Sequence, residues 1–314
     1  MVIRNGWRWL ILLAGVLAVG GCADGTTLAD GRGGGIGGTG TVAARGQITG
    51  FGSIWVNGTR FDITAAAVKV EGADASAASL QLGMVVAVSG SREQDGSVSA
   101  EWVEYADNLE GPIDSLTVDG FRALGQTVVV TNQTEVHGGP LQDGMVVEVS
   151  GLVDGNGTLH ATYVEKKADV WVAGDVIELK GIARNVDSTA GTFEINGLAI
   201  SYSGTTDSLA GEFVEVRSKL GVVGGFLVAH EVLVGGNTLL PGQDGVRAEL
   251  EGFVTSVESA ALFTLDGTPV DVSRATFGNG TPADLIVNAL VEVEGTFQGG
   301  VLNAATIEFE GAGD

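Results

Sequence analysis

Apolar and polar residues alternate along most of the chain in short runs that end in glycine-containing turns, the period expected of β-strands with one buried face. The same order of runs recurs four times at a spacing of about 60 residues, with Gly83, Gly144 and Gly211 at corresponding points of the first three blocks. Each block opens on a strand in which glycine precedes an apolar residue: Gly46-Gln47-Ile48, Gly111-Pro112-Ile113, Gly181-Ile182 and Gly252-Phe253-Val254. A second strand runs into a turn pair, as Ile54-Trp55-Val56-Asn57-Gly58, Leu116-Thr117-Val118-Asp119-Gly120, Phe193-Glu194-Ile195-Asn196-Gly197 and Phe263-Thr264-Leu265-Asp266-Gly267. Asn-Gly and Asp-Gly supply the positive φ that type I′ hairpins need, so the third strand, residues 60–63 in the first block, should run antiparallel to the second.

A connection with a single leucine follows (Leu80, Leu141, Leu209, Leu285), and one helical turn is expected there as a plug for the barrel end. The fourth strand is the most regular: Val86-Ala87-Val88, Val147-Glu148-Val149, Val214-Glu215-Val216 and Val291-Glu292-Val293. Its valines should face inward, leaving Glu148, Glu215 and Glu292 on a solvated outer face. The fifth strand pairs Ala100 with Val103, Ala161 with Val164, Ala229 with Val232 and Ala304 with Ile307. A separation of three breaks strict alternation and predicts a β-bulge between the two positions.

The predicted fold is therefore all-β, a tandem array of four small five-stranded OB-like barrels over residues 45–106, 107–169, 170–236 and 246–311. The order of elements is that of the OB-fold, although strand order alone does not dictate the pairing. A domain of this size buries only about 60% of its extended-chain surface, so each barrel should lean on a neighbour. Ala106-Asp107-Asn108 is all that separates the first two blocks, which implies a tight junction. The glycine-rich stretch 235–245 before the fourth should be the most mobile.

The first segment differs in kind. Arg4 and Arg8 precede the apolar run 10–19, which leads through Gly20 and Gly21 to Cys22, the pattern of a signal peptide over residues 1–21. Val19-Gly20-Gly21-Cys22 resembles the lipobox of bacterial lipoproteins, which implies lipidation of Cys22 and a membrane partner held through the lipid. The alternative is an ordinary secretory cleavage near an incidental cysteine. Residues 22–44 have no periodic apolar face for most of their length and are expected to be a flexible tether. Ala23 beside the cysteine favours the outer membrane over inner-membrane retention in a Gram-negative host.

The run Gly46-Gln47-Ile48-Thr49-Gly50-Phe51-Gly52-Ser53-Ile54-Trp55-Val56-Asn57-Gly58-Thr59-Arg60-Phe61-Asp62, followed by Leu82-Gly83-Met84-Val85-Val86, resembles the domain of unknown function 5666 family. Block one matches well and block two fairly well, while blocks three and four keep only the strand pattern. The resemblance implies a small barrel in an envelope protein and assigns no activity.

Composition narrows the chemistry. A formal net charge of −23 disfavours nucleic acid as a partner. One cysteine excludes an intramolecular disulfide, and no Cys/His spacing suggests zinc. The candidate bases are His137, His160 and His230, which share no aligned position, so no catalytic residue is assigned. Asp154-Gly155-Asn156-Gly157-Thr158 reads as a weak calcium loop or equally as a hairpin turn. Neither metal nor cofactor is assigned. Trp55, Trp102 and Tyr163 occupy outward positions that carry polar residues in the later blocks. These rings could pack at the junction of blocks one and two, stack on a ligand, or be partly buried.

The expected function is a non-catalytic cell-envelope lipoprotein, a scaffold or adhesion-type module array contacting an envelope protein or polysaccharide. The alternative is a glycan or small-ligand binding protein using the exposed aromatics of the first module. A hydrolase is a remote third.

Overall fold

A computed structural model describes residues 40–94, 96–235 and 244–311, which carry strands and two short 3₁₀ turns. In module 1 the five barrel strands are Thr41–Gly50, Ile54–Val56, Thr59–Asp62, Val85–Arg92 and Val98–Tyr105. The first pairs antiparallel with the second, the second with the third, and the third runs parallel to the fifth. The fifth then pairs with the fourth and the fourth closes on the first, giving a ring of order 1-2-3-5-4-1. This is the OB topology.

The other three modules repeat the ring. Module 2 uses Leu109–Thr117, Gly120–Ala123, Gln126–Val129, Val146–Val153 and Leu159–Ala168. Module 3 uses Ile177–Ile182 with its continuation Arg184–Asp187, then Thr192–Ile195, Leu198–Tyr202, Phe213–Val223 and Phe226–Val234. Module 4 uses Arg247–Ser259, Leu262–Leu265, Thr268–Asp271, Leu290–Gln298 and Val301–Phe309. The inward valines and one phenylalanine per ring (Phe61, Phe121, Phe193, Phe263) are buried. The single leucines Leu80, Leu209 and Leu285 are buried at the barrel ends, but only modules 1 and 4 form a helical turn there, Ala77–Ser79 and Pro282–Asp284.

The turn pairs Asn57-Gly58, Asn196-Gly197 and Asp266-Gly267 all take positive φ, as their sequence requires. Module 2 departs from expectation. Leu116 and Thr117 are the tail of the first strand, and the second-to-third turn is Leu124-Gly125, with φ of 48° and 71°. Leucine is a poor residue for that conformation. Here its side chain is 2% exposed and packs under Gly111, so burial offsets the backbone strain. The outward residue of the second strand in module 2 is accordingly Arg122, between Phe121 and Ala123.

The bulge predicted from the alanine spacing is present in every module. Pairing between the fourth and fifth strands slips at Ser89/Gly90, Ser150/Gly151, Arg217/Ser218 and Glu294/Gly295. The extra residue brings backbone carbonyl oxygen against the fourth strand. A Cβ on Gly90 would lie 2.2 Å from Ser99 O and one on Gly151 2.1 Å from His160 O. Module 3 has Ser218 there and its Oγ donates to Val228 O at 2.7 Å.

The modules do not form a simple row. The first strand of module 1 pairs in parallel with that of module 4, Val42 to Arg45 against Arg247 to Leu250. The first strand of module 2 pairs antiparallel with that of module 3, Leu109 and Glu110 against Leu179 and Glu178. Two sheets result, of 13 and 12 strands. Residues 41–44, read from sequence as the end of a tether, are strand: Val42 and Ala44 are buried in the core of module 1, and Ala43 is buried against module 4. Apolar packing also crosses modules: one cluster joins Leu109 and Phe121 to Phe193 and Val216, and Tyr163 of module 2 lies in the core of module 1. Asp107, in the short link between modules 1 and 2, is buried. The stretch expected to be mobile falls largely on residues 236–243, outside the described residues.

The bulge glycines make a direct prediction. Gly151→Ala should cost about 1–3 kcal/mol, the usual range for overpacking, as a lowered urea midpoint. Gly144→Ala, where a Cβ would meet nothing within 4 Å but φ is +84°, separates backbone strain from collision.

Candidate functional site

In a closed ring with inward valines, alternate residues must point outward, and pairing of the modules turns several of those positions away from water. Glu148 and Glu215, expected on a solvated face, are each only 6% exposed. Glu148 is covered by Tyr105 of module 1 and paired with Lys167, and Glu215 lies against Arg217 of its own module.

The densest group lies where modules 1, 2 and 3 meet. Lys180 sits in the first strand of module 3 and is 2% exposed. Its Nζ is 2.6 Å from Asp107 Oδ1 and 3.5 Å from Glu178 Oε2, and it also donates to Glu71. Glu71 occupies a positive-φ turn in module 1 and accepts the backbone N–H of Asp107 at 2.7 Å. Burial alone would lower the Lys180 pKa, but Asp107 and Glu71 outweigh it and hold the ammonium above its ordinary value.

Beside it, Tyr105 Oη donates to Glu148 Oε1 at 2.7 Å and Lys167 Nζ to Glu148 Oε2 at 2.8 Å. Burial, then Glu148 and Asp107, push the Tyr105 phenol well up. In module 3, Arg217 Nε lies 2.5 Å from Glu215 Oε1 and 3.4 Å from Glu178 Oε1. Among the described residues, carboxylates converge closely enough for a metal ion at Glu71, Asp107 and Glu178 and at Asp107, Glu110 and Glu148. Lys180 bonds into the first set and Lys167 into the second, so a resident ammonium does the work that a metal would do.

A cavity of about 590 Å³ opens beside this network, with Arg45, Asp154, Lys180, Arg184 and Asp266 on its wall, so all four modules contribute. Arg45 Nη2 pairs with Asp266 Oδ2 at 2.6 Å, tying the first strand of module 1 to the turn of module 4. Asn57, the turn residue of module 1, donates from Nδ2 to the carbonyls of Arg45 and Glu249, each at 3.0 Å.

The residues singled out from sequence are scattered. Cys22 lies outside the described residues. Trp55 is 40% exposed and lies over Gly50 of the paired strand. Trp102 is half-buried and packs against the core of module 4, and Tyr163 is fully buried in that of module 1. The three rings therefore do not form one exposed aromatic face, because contacts between modules cover two of them. His137 lies 5.2 Å from the Tyr163 ring, His160 lies 4.5 Å from Phe253 and 3.4 Å from Asp154 Oδ2, and His230 is exposed on the fifth strand of module 3. The loop at 154–158 is a hairpin turn in which Asp154 Oδ1 accepts from the N–H groups of Asn156 and Thr158 at 2.9 Å each.

Sequence reading passed over Asp107, Lys180, Arg45 and Glu71. A signal for two of them, Arg45 and Lys180, lay in the alignment of blocks: the residue before the first-strand glycine is Arg45, Glu110, Lys180 and Glu251. A position that is always charged and alternates in sign implies partners on other modules.

Closed rings of this order, joined by first-strand pairing, define an array of OB-type barrels. The chain belongs to the DUF5666 family: the family model, described as Domain of unknown function (DUF5666), matches residues 39–104, 110–165 and 251–308, more than half of the chain. The fourth block, expected to keep only the strand pattern, is thus a recognisable copy. The third shares the ring but is not matched, and it is the module in which Ser218 replaces the bulge glycine. Comparison with curated proteins gives no significant match.

Two predictions follow from the buried charge. Lys180→Met leaves Asp107 without its cation and should cost about 3–5 kcal/mol in urea unfolding, while adding Asp107→Leu should recover a large part of the loss. The second concerns Glu292, whose pKa rises to about 8 through burial and then the charges of Glu249, Glu251, Glu310 and Glu308. The folded state binds this proton more tightly than the unfolded chain, whose value is near 4.5. Its contribution to stability is therefore present below about pH 4.5 and is lost as pH rises to about 8. Urea midpoints from pH 5 to 9 should fall more steeply for the wild type than for Glu292→Gln.

Proposed function

We propose that the protein is a non-catalytic lipoprotein of the cell envelope, held through lipidated Cys22, whose four barrels act as a scaffold or adhesion-type body for an envelope protein or polysaccharide. The observation that carries this reading is how its charged groups are used. Lys180, Lys167, Arg217 and Arg45 each bond carboxylates and hold modules or strands together, which supports a structural role for the polar clusters. Support for the anchor comes from the order Arg4, Arg8, apolar run, Gly20-Gly21-Cys22 and a glycine-rich stretch. Several acyl chains, at about 0.8 kcal/mol per buried CH₂, would hold such a body on a membrane.

A second reading, a small polar or glycan ligand, is favoured by the cavity shared by all four modules. Its wall mixes carboxylate, amide and guanidinium groups, which suits the donors and acceptors of a polyol.

Intact mass and membrane fractionation of the wild type beside Cys22→Ala, expressed in a Gram-negative host, tests the first reading. A triacyl mass increment with membrane residence, both lost in the variant, is expected. A soluble wild type without added lipid would overturn the anchor. Calorimetric titration with a disaccharide panel, sensitive to Asp266→Asn, tests the second.

A further inference from the structure

Lys180 and Asp107 are held against each other by side chain and backbone alike. Their side chains are 1% and 2% exposed, with Nζ 2.6 Å from Oδ1. The Lys180 N–H donates to the carbonyl of Asn108 at 2.9 Å, and Asn108 in turn donates to Val149 O and accepts the Gly151 N–H, each at 2.8 Å. The Asp107 N–H donates to Glu71 Oε1 at 2.7 Å. Neither residue can leave without opening the junction of modules 1, 2 and 3, and such restraint removes much of the entropic barrier between two reacting groups.

The charges of this cluster do not balance. Glu71, Asp107 and Glu178 offer carboxylate oxygens within 4.8 Å of one another, with the Lys180 ammonium bonded among them. Arg217 serves Glu178 and Glu215, so Glu71 and Asp107 share Lys180. Burial pushes the Asp107 carboxyl well above the usual carboxylate range, against the pull of Lys180 and with Glu71 and Glu148 adding to the push. Asp107 is therefore held towards the neutral acid, the form of a carboxyl group that an amine can attack.

We propose that Lys180 and Asp107 condense into an isopeptide bond between Nζ and Cγ, with Glu71 as the proton carrier. Lys180 donates directly to Glu71, so the proton it must lose has an acceptor already in contact. Glu71 takes that proton, and the lone pair left on Nζ adds to Cγ of the protonated Asp107 carboxyl. Glu71 then gives a proton to the departing hydroxyl, which leaves as water, and recovers one from the nitrogen as the amide forms. One ammonium, one carboxylic acid and one carboxylate thus become one amide, one water and one protonated carboxyl. The Glu71 side chain is 28% exposed and can pass the surplus proton to solvent. No oxidant or cofactor enters.

The amide replaces two buried charges with a neutral group and removes their desolvation cost. It also closes a covalent loop from Asp107 to Lys180 around the whole of module 2, whose strands run from Leu109–Thr117 to Leu159–Ala168. Such a loop restricts the unfolded chain as a disulfide does, in a protein whose one cysteine excludes an intramolecular disulfide. Lys167 marks the contrast. It lies 2.8 Å from Glu148, but its side chain is 36% exposed, so water keeps that ammonium charged and no bond forms there.

The test is peptide mapping by mass spectrometry of the full-length protein, denatured and digested with trypsin. Cleavage after Arg92, Arg122, Lys167 and Arg184 yields fragments 93–122 and 168–184. They should be recovered joined, lighter than their sum by one water, with Lys180 uncut and fragmentation placing the bond between Lys180 and Asp107. Lys180→Arg keeps the cation without a nucleophilic amine, and should give unjoined fragments, a slower band on a denaturing gel and a lower melting temperature. Glu71→Gln should lower the joined fraction about tenfold or more. Free wild-type fragments at full mass, a bond from Lys180 to Glu71 or Glu178 instead, or an unchanged joined fraction in Glu71→Gln would each overturn the proposal. The wild-type masses require no variant to fold and do not depend on Cys22, so they stand or fall apart from the envelope reading.

Discussion

A ring of five short strands encloses too few side chains to be stable by a wide margin, and the pairing of first strands between barrels answers that shortage. Val42 to Arg45 against Arg247 to Leu250, and Leu109 and Glu110 against Leu179 and Glu178, convert four small rings into two extended sheets. The apolar clusters then cease to belong to single modules. Ala43 and Ala87 of module 1 pack with Leu250 and Phe263 of module 4, and Tyr163 of module 2 fills the core of module 1. The first strand can do this because it is long, so residues beyond the ring are available for a neighbour.

The same pairing explains the buried charge. Alternation puts one residue in two on the outside of each ring, and docking of the rings removes some of those positions from solvent. Where the outward residues are small, as at Ala43 and Ala87, the modules close on apolar contact. Where they are charged, a partner of opposite sign stands beside them, from the same module for Glu148 and Lys167 and from another for Lys180 of module 3, which meets Glu71 of module 1 and Asp107 of the link. Burying a charge is tolerable only with such partners.

Much of the ring was legible in the sequence, because the inward side obeys local rules. Three of the four hairpin turns, the buried valines and all four bulges were readable from Asn-Gly or Asp-Gly pairs, period-two runs and the alanine spacing. Module 2 broke the turn rule because Leu124 adopts positive φ at a position where its side chain is buried, and Asp119-Gly120 offered a more conventional decoy. The outer side was poorly legible. Glu148 and Glu215 read as solvated because nothing in their own strand reports their burial, and for the same reason the strand pattern left Trp102 and Tyr163 open between packing at a junction, stacking on a ligand and partial burial. The residues of the polar network come from different blocks, so only a comparison of aligned positions across blocks could have brought them together.

That asymmetry bears on how four copies of one module diverge. The inward set of valine, isoleucine and phenylalanine is fixed by the ring and barely varies in kind among the modules. The outward set is fixed only by whichever neighbour it meets, so the fourth-strand outward residue is Ala87 where module 1 docks on module 4 and Glu148 where Lys167 and Tyr105 receive it. Its counterpart is Glu215 where Arg217 lies alongside and Glu292 where Glu251 and Glu308 stand opposite it on the adjoining strands. A carboxylate ladder whose cation comes from its own chain is a fastening. Where no such cation stands beside the ladder, as at Glu292, burial and the neighbouring carboxylates favour the protonated form, and the folded state holds a proton there instead.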